Sequence, residues 1–405
     1  MKIQRWMVVL VMIGCVMLSG RLAQAGELAI ASFGSTGQLT FSTLNDGTNY
    51  NYQVEWAPAV AGPWSPFAGM GASMGSLVAA PGSVVTSTVA MCYRVVATLG
   101  DYMVVDISGG TNVTEYPVSY YRTLADIPGG VGVNDDAYKT TNMVFRRIPA
   151  GTFSMGSPTA ELGRNSDENQ HQVTLTQPFY VGVFEVTQKQ WERVMGTWPS
   201  YFNNASYRDA RPVEQVSYYQ IRENPANSDD PTVSWPTNSA VNAQSFMGRL
   251  RARTGKAFDL PTESQWEYAG RAGTTTALNS GKNLTATGSC PNMSEVGRNW
   301  FNGGSGYTQI GDTSVGAAKV GSYLPNAWGL YDIHGNVWEW CLDWYGTYPG
   351  TVSDPAGALT GSYRVFRGGS WTGFAYYCRV GFRIDIGPGG AYSDIGFRVA
   401  LPSGQ

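Results

Sequence analysis

Histidine is almost missing from this chain: His171 and His334 are the two copies in 405 residues. A relay of nucleophile, histidine and acid needs a histidine at its nucleophile, and nothing in the sequence brings these two together, which argues against histidine-based catalysis. Charge is also scarce. Asp, Glu, Lys and Arg make up 14% of the residues and the net charge is -3, so no basic field exists to neutralise phosphates, and nucleic acid is excluded as a partner. After the first residues, no apolar run is long enough to cross a bilayer. Glycine (50 residues) and aromatics (13%) are plentiful, which suits a loop-rich architecture held by Trp and Tyr packing, with helix in the minority. The length exceeds one ordinary domain, so two are expected.

Lys2 and Arg5 precede an apolar run from Trp6 to Leu18, and Ala23-Gln24-Ala25 stands before Gly26. These are the three parts of a secretory signal. Residues 1–25 are expected to be removed and the remainder exported, to a periplasm, a cell surface or the extracellular space, with no transmembrane segment left. The apolar run is shorter than the roughly 20 residues an anchor needs. Cys15 follows Ile13-Gly14 in the manner of a lipoprotein site, but apolar residues continue past it to Leu18. Cys92, Cys290, Cys341 and Cys378 then remain in an oxidising place.

Residues 27–98 read as short alternating runs, such as Tyr52-Gln53-Val54-Glu55-Trp56 and Cys92-Tyr93-Arg94-Val95-Val96, separated by Gly, Asn, Pro and Ser. They predict a small all-β sandwich-like module, similar to fibronectin-type accessory modules and suited to spacing or adhesion. Residues 99–142, with Asp126-Ile127-Pro128-Gly129-Gly130, read as a linker carrying one or two strands. Beyond it, Val173-Thr174-Leu175 and Phe179-Tyr180-Val181 predict strands, and Thr187 caps a helix over Gln188 to Met195. A further helix is expected from Asn238-Ser239-Ala240 to Thr254. Another opens at Leu260-Pro261-Thr262-Glu263, where Glu263 lies in the first turn and is stabilised by the helix dipole.

Phe145-Arg146-Arg147-Ile148-Pro149-Ala150-Gly151-Thr152-Phe153-Ser154-Met155-Gly156, Leu260-Pro261-Thr262-Glu263-Ser264-Gln265-Trp266-Glu267, Gly335-Asn336-Val337-Trp338-Glu339-Trp340, Arg367-Gly368-Gly369-Ser370-Trp371 and the closing Gly396-Phe397-Arg398 stand in this order. Together they resemble the formylglycine-generating enzyme (sulfatase-modifying factor) family over residues 143–401. The resemblance implies an α+β, loop-rich domain of C-type lectin fold. It also implies an oxidase that converts a cysteine of a bound sulfatase peptide to formylglycine with oxygen and a copper ion between two thiolates, a soft pair suited to that metal. Those two positions are Gly373 and Cys378 here. One sulfur is missing, which disfavours copper. By the same resemblance Cys378, Ser370 and Trp338 would stand at the active site. Ser370 equally suits a tight turn, and Trp338 a core.

Calcium is implied through Asp332, the carbonyls of Gly335 and Val337, and Glu339, since hard oxygens suit a hard cation. Backbone donors offer Asp332 and Glu339 an alternative. Cys378 is expected either in a disulfide with Cys341 or as a buried thiol, with Cys290 a competing partner.

From Thr372 to Asp394, the framework residues Cys378, Arg379, Val380, Arg383 and Pro388 alternate with residues that codons ending in C encode, while Met, Trp, Lys, Gln and Glu are absent. This resembles the variable region of proteins diversified by retroelements on a C-type lectin scaffold. Thr372, Phe374, Tyr376, Tyr377, Phe382, Asp385, Tyr392 and Asp394 are therefore the candidate ligand-binding residues, because aromatics give contact area at low entropy cost and small polar residues adapt. Three functions follow: an exported binder of a peptide, protein or glycan; the family's oxidase; or an envelope or surface scaffold.

Overall fold

Along Asn142–Ile148, Met143 and Phe145 share one face and Val144 and Ile148 the other, and all four are buried, so the strand is covered on both faces. The computed structural model describes residues 100–130, 136–303 and 315–402, and before them only the backbone of individual strands. The chain divides into two compact units, residues 1–103 with 118–128 and residues 104–117 with 129–405.

In the first unit, Gln38–Ser42 pairs antiparallel with both Ile30–Phe33 and Val84–Thr88. Tyr50–Ala57 pairs antiparallel with Ser65–Pro66, Leu77–Ala79 and Cys92–Leu99. The expected leader contributes the antiparallel strands Val9–Met12 and Cys15–Leu18; its cleavage region and the Cys92 side chain lie outside the described residues.

The second unit is α+β, with few helices and several small sheets. Phe179–Gly182 lies between Asn142–Ile148 and Ala400–Pro402, antiparallel to both, so the last strand of the domain pairs within its opening sheet. Residues 104–117, read as linker in the sequence, belong to this unit. Val105, Ile107 and Tyr116 are buried, and the Tyr116 amide donates to the Arg253 carbonyl at 2.8 Å.

Two helices begin where their caps predict. Thr187 Oγ1 accepts from Gln190 N while the Gln190 side chain returns to Thr187 N, and Thr262 and Gln265 repeat the exchange before Glu263–Arg271. The third starts later than expected, at Phe246 rather than near Asn238. The Asn238 and Asn242 side chains accept from the amides two residues on, at 2.8 and 2.9 Å, which holds residues 238–244 in turns until Ser245 caps the helix. Among the described residues, no helix is long and apolar enough to cross a membrane.

The sheet that carries the C-terminal motifs has Trp338–Trp344 at its centre. Arg364–Arg367 lies antiparallel on one side with Arg383–Ile386 beyond it, and Ile395–Gly396 lies parallel on the other. Removing the Thr262 cap leaves a first-turn amide without its acceptor, so Thr262→Ala is expected to lower stability by about 1 kcal/mol, read as a reduced urea midpoint at unchanged slope.

Candidate functional site

The Gly335-Asn336 turn sets the geometry. Gly335 has φ of 80°, and a Cβ there would stand 1.8 Å from the Arg298 carbonyl oxygen across the parallel bridge, so only glycine fits. Asn336 then donates to Glu185 Oε2 at 2.5 Å and accepts from the Ala318 amide at 2.8 Å, while Val337 N donates to Glu185 Oε1. Strand Trp338–Trp344 leaves this turn already anchored.

Glu339 accepts from Arg398 Nε and Nη2, each at 2.6 Å, and from Trp266 Nε1 at 2.7 Å. Arg398 thus supplies, at both oxygens of Glu339, the positive charge that a calcium ion would bring. Asp332 accepts from the Gly321 amide through Oδ2, and its buried Oδ1 has no partner among the described residues. Burial raises the Asp332 carboxyl to about 6, and burial with the neighbouring Asp332 and Glu339 charges raises Glu185 well above the carboxylate range. Among the described residues, no group of three or more His, Cys, Asp or Glu side chains is placed to hold a metal ion. Of the set expected for calcium, Asp332, Gly335, Val337 and Glu339, the Glu339 carboxylate is engaged at both oxygens by Arg398.

The three residues expected at a redox centre are brought near one another but withheld from solvent. Cys378 Sγ is 3.8 Å from the Ser370 carbonyl oxygen, and both residues are fully buried. Burial raises the Cys378 thiol to about 12, so it stays protonated. Ser370 Oγ and Thr372 Oγ1 stand 2.8 Å apart and reach Asp394 Oδ2 at 2.9 and 2.8 Å, which ties both hydroxyls to one carboxylate oxygen. The Trp338 amide donates to the Asp394 carbonyl, and its ring packs edge-on against Phe366 at 4.9 Å, nearly buried. His334 lies beneath Cys378: Nδ1 donates to the Cys378 carbonyl at 2.7 Å and Nε2 accepts from Asn279 N at 3.0 Å. Burial lowers its pKa to about 4, which keeps it neutral.

A Cβ built on Gly373 would lie 3.5 Å from Cys378 Sγ, and φ at this residue is not left-handed. Position 373 is thus where a second sulfur would meet Cys378. Without it, the residues present do not fit a two-sulfur copper site. The expected Cys341–Cys378 disulfide is absent: both are buried free thiols, as is Cys290. Cys341 lies among Glu263, Asp343 and Arg367, whereas Cys378 packs with Cys290, Met293 and Ala277 in a separate apolar cluster.

The eight candidate ligand-binding residues separate. Phe374 and Tyr392 are 42% and 54% exposed, and Thr372, Tyr376, Tyr377 and Asp394 are half-buried. Phe382 is only 2% exposed and packs against Tyr377 at 5.1 Å and Trp338 at 5.9 Å, so it supports the loop aromatics from below. Asp385 alternates to the Arg383 side of its strand, where Asp167 is its charged neighbour.

Two residues missed in the sequence join the exposed face. Phe301, 48% exposed, stands 5.5 Å from the Phe374 ring, and its loop is held by the Trp300 amide donating to the Gly373 carbonyl at 2.9 Å. Gln215, at φ 58°, donates its amide to the Tyr392 carbonyl at 2.9 Å. Neither lies in a motif, and only the tertiary approach reveals them.

Residues 132–402 match the family model of the sulfatase-modifying factor enzyme 1-like domain. The chain belongs to this family. It is 30% identical over 298 residues to the formylglycine-generating enzyme of Thermomonospora curvata, covering 62% of this chain and 91% of that one. It is 31% identical over 252 residues to the chaperone protein LppX of Paenibacillus barcinonensis, covering 58% and 82%. Among solved structures it is similar to Treponema denticola variable protein 1, with a TM-score of 0.49 and 32% identity over 65% of this chain and 96% of that one.

Gly373→Cys is expected to close a disulfide to Cys378 in oxidising buffer, seen as the loss of two titratable thiols in the unfolded protein relative to the reduced variant. Stability also depends on pH. Glu214, whose oxygens accept from the Tyr201 and Phe202 amides, is raised by burial to about 8, so its contribution is complete below the ordinary carboxylate range and is lost as pH rises through about 8. The lowered His334 acts oppositely, its contribution being present above 6.5 and lost as pH falls towards about 4. Melting temperature is expected to pass through a maximum between these limits, and Glu214→Gln to weaken the alkaline loss while leaving the acid one.

Proposed function

We propose that the protein is an exported recognition module whose C-terminal loops bind a peptide, protein or glycan. The observation that carries this reading is the pairing of a lone, buried, protonated Cys378 beside Gly373 with the exposed rings of Phe301, Phe374 and Tyr392 on neighbouring loops. A rigid scaffold beneath exposed aromatics is what binding uses, since little conformational freedom is lost when a ligand covers them. The family's oxidase chemistry requires a second sulfur at the position that Gly373 occupies here. The segment from Thr372 to Asp394 is its variable part. Of its residues outside the framework, Gly373, Ala375, Gly381 and Phe382 are buried and the others are exposed or half-buried.

The reading is tested with peptide and glycan arrays and a formylglycine assay on one preparation. Wild-type protein is expected to bind a defined subset of array ligands, and Phe374→Ser with Tyr392→Ser to reduce that binding by roughly tenfold or more at unchanged melting temperature, in line with loss of aromatic anchors. The same preparation, given copper and oxygen, is expected to leave a cysteine peptide unmodified. Formation of formylglycine by the wild-type chain would establish the oxidase reading instead.

A further inference from the structure

A cavity of about 420 Å³ lies between the N-terminus of helix Glu263–Arg271 and the loop of residues 346–358, with Arg383 of the Thr372–Asp394 segment in its wall. Its size falls within the range of small-ligand sites. The loop is firmly held. Val352–Ser353 pairs with strand His171–Leu175, the Asp354 amide donates to the Thr174 carbonyl at 2.9 Å, and Trp235 Nε1 donates to the Ala356 carbonyl at 2.9 Å. The cavity is therefore preformed.

Its charged lining is Glu263, Asp343, Asp354 and Arg383. Arg383 is fully engaged: Nε and Nη2 donate to the two Glu263 oxygens at 2.8 Å each, and Nη1 donates to the Gly346 carbonyl at 2.7 Å. Asp354 accepts from the Thr176 amide and hydroxyl. Asp343 is left. Only 3% exposed, it accepts the Glu263 amide through Oδ2 at 2.7 Å and is paired with no lysine or arginine among the described residues. Arg364, the other nearby cation, donates to the Leu342 carbonyl and lies 3.3 Å over the Trp344 ring. The cavity thus contains more negative charge than its arginine balances, with Trp344, Tyr348, Pro349 and Pro355 as apolar walls.

We propose that this cavity is a second binding site, for an alkylammonium group such as a small organic amine or a lysine side chain, with Asp343 as its counter-ion. An ammonium brings the missing charge and donors to a desolvated carboxyl, while its methylenes lie along the proline and aromatic walls. Burial and the adjacent Glu263 charge raise the Asp343 carboxyl to about 7, as expected for a carboxylate left without a cation.

The test is calorimetric titration of the full chain with pentylamine, with Nα-acetyl-lysine methylamide, and with pentanol as the neutral control. Saturable binding of at least one amine and none of pentanol is expected. Asp343→Asn keeps an oxygen acceptor for the Glu263 amide and is expected to weaken amine binding by roughly tenfold or more. Amide shifts in the titrated wild type should centre on Ser264, Trp344 and Tyr348, a readout that stands even where the variant folds poorly. Equal binding of pentanol, unchanged affinity in folded Asp343→Asn, or shifts centred elsewhere would each overturn the assignment. The lysine derivative binding without the free amine supports a peptide ligand for the same pocket.

Discussion

The domain is organised around the desolvated pair of Glu339 and Arg398. Glu339 lies on the central strand of the motif-bearing sheet, Arg398 lies next to the closing strand, and Trp266 of a helix donates to the same carboxylate. Similar pairs repeat the device: Glu263 with Arg383, Glu267 with Arg367 and Arg271, and Glu168 with Arg379. Each joins segments distant in sequence or fixes a helix against the sheet. Taking such charges out of water is costly, and losing one partner of a buried pair costs about 3–5 kcal/mol. This explains why the motifs read as aromatics flanking single charged residues: the charge provides registry and the rings exclude water.

Against that frame of ion pairs, the region around Cys378 is chemically quiet. The Cys378 thiol is buried and protonated, the histidine beneath it is neutral, and the Ser370 and Thr372 hydroxyls are bound to the half-buried Asp394 carboxylate. The scaffold retains the turn in which the family's second cysteine would stand, and Gly373 N still donates to the Ser370 carbonyl at 2.9 Å. Shape has been kept while the reactive pair is incomplete.

Much of this was legible beforehand where the signal is local. Thr187 and Thr262 cap helices because a hydroxyl and a glutamine three residues on complete an exchange within one turn. The ordered motifs were equally legible, since the later four bury charges that pair between motifs, Glu267 with Arg367 and Glu339 with Arg398. The late start of helix Phe246–Thr254 was hidden by asparagines that accept from their own downstream amides. Pairing of Cys341 with Cys378 could not be judged from spacing, because strand and turn send the two thiols into different surroundings. Phe382 and Asp385 belonged to an apparent surface run, yet strand alternation and ring packing send one into the core and the other towards Asp167. The cavity over Asp343 left no trace in the sequence, as its walls come from five separate stretches of chain.

The position of Arg398 near the end of the domain has a consequence for synthesis. Until that residue leaves the ribosome, Glu339 has no counter-ion, and the opening sheet lacks its pairing strand Ala400–Pro402. Reading-frame errors anywhere upstream, including within Thr372 to Asp394, delete both together. A product that loses the frame before Arg398 therefore lacks both the counter-ion of Glu339 and the strand that completes the opening sheet.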